Sequence, residues 1–590
     1  MNYLTQAREL IKENKRGQNS YLDLGNCGIS ELNELPELFE CVHLETLIIS
    51  NEWKEWDERK EWKKSGNRGK INNIFNIPEK ISNLKKIKKL IISGGQLGWE
   101  ISNVKSLEKL TELKYLDLSD NEIVDIQGIE KLTKLQYLGL RNNQISDIKG
   151  LEKLKDLQNL GLNNNKVWDI RSLEKLAKLE KLGLNNNNIS DIRSLEKLAK
   201  LKKLGLNNNN VSDIRSLGKL TALKDLDLTN NEISDIRSLG KLVELQYLRI
   251  NNNNISDIGI LEKLTELKYL HLQNNLISDI KVLEKLTGLQ DLHIQNNYIS
   301  DIMSLENLTK LNFLVLRSNK ISDINGLKKL TGLQFLDLSN NQISDIRILE
   351  KLTELKHLGL RYNQISDIKS LGKLKELQSL FLQSNNISDI MGLEKLTELE
   401  DLDLSNNHIL DIKCLGKLIK LRNLYLWKNQ ISDIKGLEEL TELTYLGLSN
   451  NQISDIEGLE KLTRLSYLDI RNNKIKNIPL FIIQLKMEIN MKEVGGIGTC
   501  LFGNPIESPP VHILKMGKDS VKNFFEQSII YGTDILYEGK ILIVGEAEAG
   551  KSTLLKKLQD PNGVPLPNTE STLGVVVEEG LVLPHPEKKM

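Results

Sequence analysis

The sequence has few of the features that mark secreted, membrane or nucleic-acid-binding proteins. Only 4 cysteines occur in 590 residues, without metal-ligand spacing, which excludes a disulfide framework and a cysteine zinc site. Lysine plus arginine and aspartate plus glutamate both number 80, so the chain lacks the basic surplus that nucleic acid or an anionic membrane selects. No apolar run reaches the roughly 18 residues of a transmembrane helix, and the N-terminus does not resemble a signal peptide. These absences predict a cytoplasmic protein with reduced thiols, no nucleic-acid partner and no transmembrane segment.

One regularity dominates what is present. From Leu113 onward a 22-residue unit, L-x-x-L-x-L-x-x-N-x-I-x-D-I-x-x-L-x-x-L-x-x, recurs without insertion, and the seventeenth unit begins at Leu465. The ninth position is asparagine in every unit, from Asn121 to Asn473. This pattern is the leucine-rich-repeat signature, and self-similarity at such a period indicates a solenoid.

The spacing within the unit predicts its local structure. Leu116 and Leu118 are two residues apart, so on a strand they point to the same side, and stacked units form one parallel sheet on the concave side. The asparagine can bond backbone groups of the turn that no sheet partner satisfies. The aspartate at position thirteen precedes a short 3₁₀ or helical turn on the convex side, where it can act as an N-cap. We therefore predict an α/β leucine-rich-repeat solenoid.

The repeat pattern and its breaks predict the domain organisation. Degenerate repeats and a helix over residues 3–16, with Leu4, Ala7, Leu10 and Ile11 on one face, indicate an N-terminal cap. The predicted divisions are a cap with degenerate repeats over 1–112, the seventeen repeats over 113–485, a C-terminal cap and linker over 486–539, and a nucleotide-binding fragment over 540–590.

An insertion at 51–70 interrupts the degenerate repeats and carries three tryptophans. The spacing of Trp53, Trp56 and Trp62 could place them in a stripe on one helix face. Two interpretations stay open: a loop packed back on the cap, and a protrusion that binds a partner.

The segment after residue 540 contains a phosphate-binding motif. The apolar run 540–544 leads into GEAEAGKS at 545–552, which matches G-x-x-x-x-G-K-[ST], and 553–558 reads as a helix. This strand, loop and helix predict a P-loop. Lys551 would reach the β- and γ-phosphates, while Ser552 and, beyond the helix, Thr572 would ligate Mg²⁺. The predicted nucleotide-binding residues are Gly545, Glu546, Ala547, Glu548, Ala549, Gly550, Lys551, Ser552, Thr553 and Thr572.

The chain resembles the Roco family, in which a leucine-rich-repeat array precedes a Ras-like Roc GTPase domain. The resembling residues are the repeats, the junction GNPIESPP at 503–510, the loop at 545–552 and STLG at 571–574. The resemblance implies a regulatory GTP-binding protein with GTP or GDP and Mg²⁺ as cofactors. It also implies GTP hydrolysis by the intact protein, a repeat domain that binds a protein partner, and a homodimer through C-terminal domains.

The sequence departs from this family because no D-x-x-G motif follows Thr572 and no N-K-x-D motif occurs, whereas a Ras-like domain has both. We therefore expect a fragment of a longer protein that binds nucleotide weakly or not at all. A pure protein-interaction module is the alternative function. The repeats also resemble those of internalins, so a surface adhesin is a third possibility, which the absent signal peptide and the P-loop disfavour.

The expected partner surface lies on the concave side of units nine to fifteen. Aromatic residues and arginine dominate interface energetics, and they are concentrated there, whereas units three to five present glycine and asparagine. Neutral drift on an exposed face is the alternative explanation. His271 and His293 are expected to be solvated side chains rather than metal ligands. The candidate partner-binding residues are Phe313, Phe335, Phe381, Tyr425 and Trp427.

Overall fold

The computed structural model describes residues 4–53, 62–485, 487–493 and 496–531. The chain divides into two units, Met1–Lys522 and Asn523–Met590, and the described residues of the second unit are the C-terminal part of one helix. The predicted P-loop at 545–552, Thr553, Thr572 and the rest of the predicted fragment 540–590 lie outside the described residues.

The first unit is built on one parallel sheet of 22 strands. Each of the seventeen repeats contributes a three-residue strand at positions three to five, and neighbouring strands pair in register, so that Leu204 faces Leu226. Because the register holds at every step, each leucine of the unit stacks on its equivalents. The repeat strands are Tyr115–Asp117, Tyr137–Gly139, Asn159–Gly161, Lys181–Gly183, Lys203–Gly205, Asp225–Asp227, Tyr247–Arg249, Tyr269–His271, Asp291–His293, Phe313–Val315, Phe335–Asp337, His357–Gly359, Ser379–Phe381, Asp401–Asp403, Asn423–Tyr425, Tyr445–Gly447 and Tyr467–Asp469.

The core lies between this sheet and a layer of short 3₁₀ helices on the convex side. The consensus leucines and isoleucines are almost completely buried. Most convex helices, of which Arg171–Lys175 is typical, begin two residues after the aspartate of position thirteen, and three begin four residues after it. Asp169 Oδ1 accepts a hydrogen bond from the amide of Arg171 at 3.0 Å, and the same contact recurs along the array. The aspartate therefore accepts the first amide of the helix, but the N-cap position is Ile170 and not the aspartate that the sequence analysis predicted.

The asparagines of position nine form a continuous buried ladder. In unit nine, Asn297 Nδ2 donates to the carbonyls of Leu272, Ile294 and Gln295 at 3.1, 3.1 and 3.3 Å. Its Oδ1 accepts the amide of Ile277, in the preceding unit, at 3.0 Å. Each asparagine thus connects two successive turns and satisfies backbone groups that the strands leave unpaired, as the sequence predicts.

Both ends of the array are covered. The N-terminal helix Thr5–Gly17 buries Ala7 and Ile11 as predicted, and the strands Tyr21–Asp23, Thr46–Ile48 and Lys89–Ile91 continue the sheet. At the other end, the pairing of Gly498–Cys500 with the last repeat strand adds a further turn that the sequence analysis did not identify. The remaining C-terminal elements are the strand Ile489–Asn490 and the helices Val511–Lys515 and Lys518–Tyr531, separated at Gly517.

The described ends of the insertion form a pair of antiparallel strands, called the hairpin below, and the suggested helical stripe of tryptophans is wrong for this described part. The strands Glu52–Trp53 and Lys63–Lys64 pair antiparallel. Trp53 is buried against Ile48, Ile91 and Tyr115, which project from the concave side of the first strands. Three residues separate this strand from the repeat strand Thr46–Ile48, and the two strands belong to different sheets. Trp56 lies outside the described residues.

The insertion also displaces the asparagine of its repeat. Asn72 follows the hairpin and accepts the amides of Cys27 and Ile29 at 3.0 and 2.9 Å through Oδ1. Its Nδ2 donates to the carbonyls of Leu24 and Ile49 at 2.8 and 2.7 Å. The hairpin therefore lies between a strand and its ladder asparagine, which leaves the stacking of the turns intact.

Candidate protein-binding surface

The concave face presents the side chains of positions three, five and seven of each unit, because the leucines between them point into the core. Where two aromatic residues occupy the same position of adjacent units, the register places their rings about 4.8 Å apart, one strand spacing. The five candidate residues lie on this face, and all are partly exposed.

Three of the candidates form one stack with two histidines. We call this stack the aromatic ladder, and its members are His293, Phe313, Phe335, His357 and Phe381. Successive ring centroids lie 5.0, 4.1, 4.2 and 5.1 Å apart. Burial lowers the pKa of His357, so this ring is neutral near pH 7 and stacks on Phe335 as an uncharged aromatic. The ladder offers a partner a continuous apolar strip with rings held in place before binding.

Charged groups lie beside the end of the ladder. The guanidinium of Arg361 lies 4.3 Å from the ring centroid of Phe381, a cation–π contact, and Arg361 Nη2 lies 3.3 Å from Asp403 Oδ2. Among the described residues, the buried atoms Arg361 Nε and Ser405 Oγ have no hydrogen-bond partner. A buried polar atom without a partner is costly, so these two atoms carry an energetic penalty at this end of the ladder.

The two remaining candidates extend this surface toward the C-terminal end of the array. The ring of Tyr425 lies 4.6 Å from that of Tyr445, and burial together with Asp401 and Asp403 raises the pKa of Tyr425. Its phenol is therefore protonated at neutral pH and can donate a hydrogen bond. The Nζ of Lys428 lies 5.7 Å from the ring centroid of Trp427. The strand Asp401–Asp403 lies between the strands of Phe381 and Tyr425, so Tyr425 is two units beyond Phe381 on the same face.

A cluster that the sequence analysis did not anticipate lies at the start of the ladder. His293 Nε2 lies 3.0 Å and His271 Nε2 3.6 Å from Asp291 Oδ1. Burial acts to raise the pKa of Asp291, but its interactions with the two imidazoles outweigh burial and hold this pKa well below its usual value. The histidines are half-buried and share a carboxylate, which differs from the expected solvated side chains. Only the register reveals this grouping, because 20 residues separate His271 from Asp291.

Comparison with known proteins places the repeats in a family. A profile described as a leucine-rich repeat region matches residues 97–256, and a profile described as two copies of leucine-rich repeats matches 243–285 and, in overlapping copies, 331–482. Together the two profiles span more than half of the chain. No curated protein matches it. None of the described helices combines the length and apolar character needed to cross a bilayer.

Three solved structures of leucine-rich-repeat proteins are similar to this chain. An internalin, InlF, of Listeria monocytogenes is 36% identical over 55% of this chain and 88% of its own, with a TM-score of 0.47. A leucine-rich-repeat protein of Leptospira interrogans is 27% identical over 63% of this chain and 93% of its own, with a TM-score of 0.54. The Arabidopsis receptor kinase HAESA, solved with the peptide hormone IDA and the co-receptor SERK1, is 22% identical over 83% and 86%, with a TM-score of 0.59.

Proposed function

Because the chain belongs to the leucine-rich-repeat family, we propose that it is a protein-interaction scaffold whose partner binds the concave face of units nine to fifteen. The observation that carries the proposal is the aromatic ladder with Arg361 at its end. Hot spots of protein interfaces are enriched in aromatic residues and arginine that are held in place before binding. HAESA was solved with a peptide hormone, but at 22% identity that likeness supports the fold alone.

The triple variant Phe381→Ala, Tyr425→Ala, Trp427→Ala tests this surface. The assay is capture of partner proteins from an extract of the native cells by the immobilised chain, followed by measurement of the affinity of each purified partner. Each truncated hot spot costs on the order of 2 kcal/mol, so the triple variant should bind at least about 100-fold more weakly.

A matched control uses exposed aromatic residues outside the concave face. Trp168 and Tyr298 are 63% and 49% exposed. The double variant Trp168→Ala, Tyr298→Ala should bind every partner as the wild type does. Equal loss in the control and the triple variant, or undiminished binding by the triple variant, would contradict the proposal.

A second candidate function rests on the motif at 545–552. We propose that the intact protein is a Roco-type switch, in which the P-loop binds GTP or GDP with Mg²⁺ and the repeats bind the regulating partner. The residues that match the motif support this proposal. A cytoplasmic location and a homodimer of the intact protein belong to the same proposal.

Calorimetry distinguishes the two functions. Because no D-x-x-G motif follows Thr572 and no N-K-x-D motif occurs, the 590-residue chain should bind GTP and GDP weakly or not at all in the presence of Mg²⁺. A longer chain containing both motifs should bind, and Lys551→Ala should abolish that binding. Nanomolar GTP binding by the 590-residue chain would contradict this expectation, and no binding by the longer chain would remove the switch proposal.

A further inference from the structure

The cluster of His271, Asp291 and His293 has the geometry of a metal centre. One atom from each side chain, the two Nε2 atoms and the carboxylate oxygen, lies within 4.8 Å of the others. Tetrahedral Zn²⁺ with bonds of about 2.0–2.1 Å separates its ligand atoms by about 3.4 Å. The two distances to Asp291 Oδ1, 3.0 and 3.6 Å, bracket this value. These two spacings therefore differ from those of a tetrahedral site by a few tenths of an ångström.

Hydrogen bonding does not account for this arrangement. Asp291 Oδ1 is buried, and no donor in the described part of the chain meets hydrogen-bond geometry with it. Carboxamide oxygens two positions beyond each histidine, Gln273 Oε1 and Gln295 Oε1, are also buried without a partner. The described concave face thus gathers unsatisfied acceptor atoms beside two imidazoles, which suits a cation better than a network of donors.

The backbone and neighbouring rings hold the ligands in place. His271 and His293 occupy the same position of adjacent in-register strands, and their ring centroids lie 4.2 Å apart. The ring of Phe313 stacks on His293 at 5.0 Å. Since rigid strands carry all three ligands, little ordering is needed when a metal binds.

We propose that His271, Asp291 and His293 form a binding site for a divalent transition metal of the Zn²⁺ class. Imidazole and carboxylate ligands suit Zn²⁺ and its neighbours in the first transition row. The three side chains are 21–25% exposed, so the site opens on the concave face. Three protein ligands leave a fourth position for water or for a donor atom of a molecule bound in the groove.

The test measures binding of Zn²⁺ to the full 590-residue chain after treatment with a chelator. Calorimetry should show one tight site, and Co²⁺ should produce the intense visible absorption of a tetrahedral complex. Loss of an outer-shell partner alone costs about 10- to 100-fold in metal affinity, so His293→Gln and Asp291→Asn should each lose at least about 100-fold. The matched control is His408→Gln, an exposed histidine outside the concave face.

The outcomes separate a site from incidental binding. Binding by the wild type and the control, with loss in both cluster variants and unchanged circular dichroism, supports the proposal. Absence of a tight Zn²⁺ site in the wild type overturns it, as does retention of that site in His293→Gln. The same titration of His271→Gln provides a third ligand test that does not depend on the stability of the other two variants.

Discussion

Replacing Asn297 by alanine tests the role of the asparagine ladder quantitatively. The side chain donates to the carbonyls of Leu272, Ile294 and Gln295 and accepts the amide of Ile277. Asn297 is 7% exposed and lies at the junction of units eight and nine. The substitution should therefore weaken one interface in the stack without altering the others.

The magnitude follows from which groups lose their last partner. The Leu272 carbonyl keeps a bond from Asn275 at 3.0 Å, and the Ile294 carbonyl keeps one from Asn319 at 3.2 Å. The third carbonyl still accepts a backbone amide at 3.0 Å. Only the buried amide of Ile277 loses its acceptor, which costs about 1–3 kcal/mol, and the lost carbonyl bonds add about 1 kcal/mol. We expect a loss of roughly 2–4 kcal/mol in the free energy of unfolding.

Denaturant unfolding and hydrogen exchange give the readout. Exchange of the Ile277 amide should accelerate strongly in Asn297→Ala, with smaller effects beyond the neighbouring units. The control is Asn296→Gly, which removes an exposed side chain and retains the left-handed backbone at φ 56°. Because glycine adopts this conformation without strain, the control should change stability by less than about 0.5 kcal/mol. An equally small change in Asn297→Ala would refute the hydrogen-bond account.

Three further predictions concern other parts of the chain. The four cysteines are all buried and unpaired, and burial raises the pKa of Cys27 to about 12. A thiol reagent should therefore label no cysteine in the native state and four after unfolding, and labelling before unfolding would contradict this. Trp53→Ala should release the hairpin from the first strands and reduce the local free energy of unfolding by about 3 kcal/mol. Hydrogen exchange of the hairpin's strand amides should then be faster, and unchanged exchange would show that Trp53 does not fix the hairpin in place. Hydrogen bonds from arginine lower the pKa of four convex aspartates, Asp169, Asp213, Asp235 and Asp345, to about 2. The stability that these ion pairs contribute is therefore present above about pH 4 and lost toward pH 2. As the pH is lowered through this range, the urea midpoint should fall less in a variant with asparagine at all four positions than in the wild type, and equal falls would contradict the ion-pair contribution.

The sequence predicts the fold well wherever the period holds. The repeat pattern specifies the sheet, the asparagine ladder and the aspartates of the convex side. Each of these features depends on one residue type at a fixed position of the 22-residue unit. The suggested helix face was wrong for the described part of the insertion, because the spacing of three tryptophans does not distinguish a helix face from paired strands. The sequence analysis missed the turn at Gly498–Cys500 because the apolar pattern of this turn is degenerate. Its Asn504 nevertheless takes the place of a ladder asparagine and donates to the Ile470 carbonyl at 2.8 Å.

The candidate sites were predictable only in part. Composition identified the aromatic and arginine residues of units nine to fifteen but not the continuous stack of rings. The stack depends on side chains at positions three and five of successive units contacting one another, which the sequence does not show. The sequence did not indicate Asp291 as a site residue because aspartate is common along this chain. The cluster becomes visible only when the register places adjacent units side by side. The nucleotide-binding residues at 545–552 stay a prediction.

Site-specific photo-crosslinking tests the central claim, that the concave face binds a protein, most directly. A photoreactive phenylalanine analogue at Phe381 would be compared with the same analogue at Trp168, and partners would be identified by mass spectrometry. The account predicts a specific protein crosslinked from Phe381, with competition by excess unlabelled wild-type chain and no equivalent product from Trp168. Crosslinks from Trp168 alone, or the same products from both sites, would contradict it.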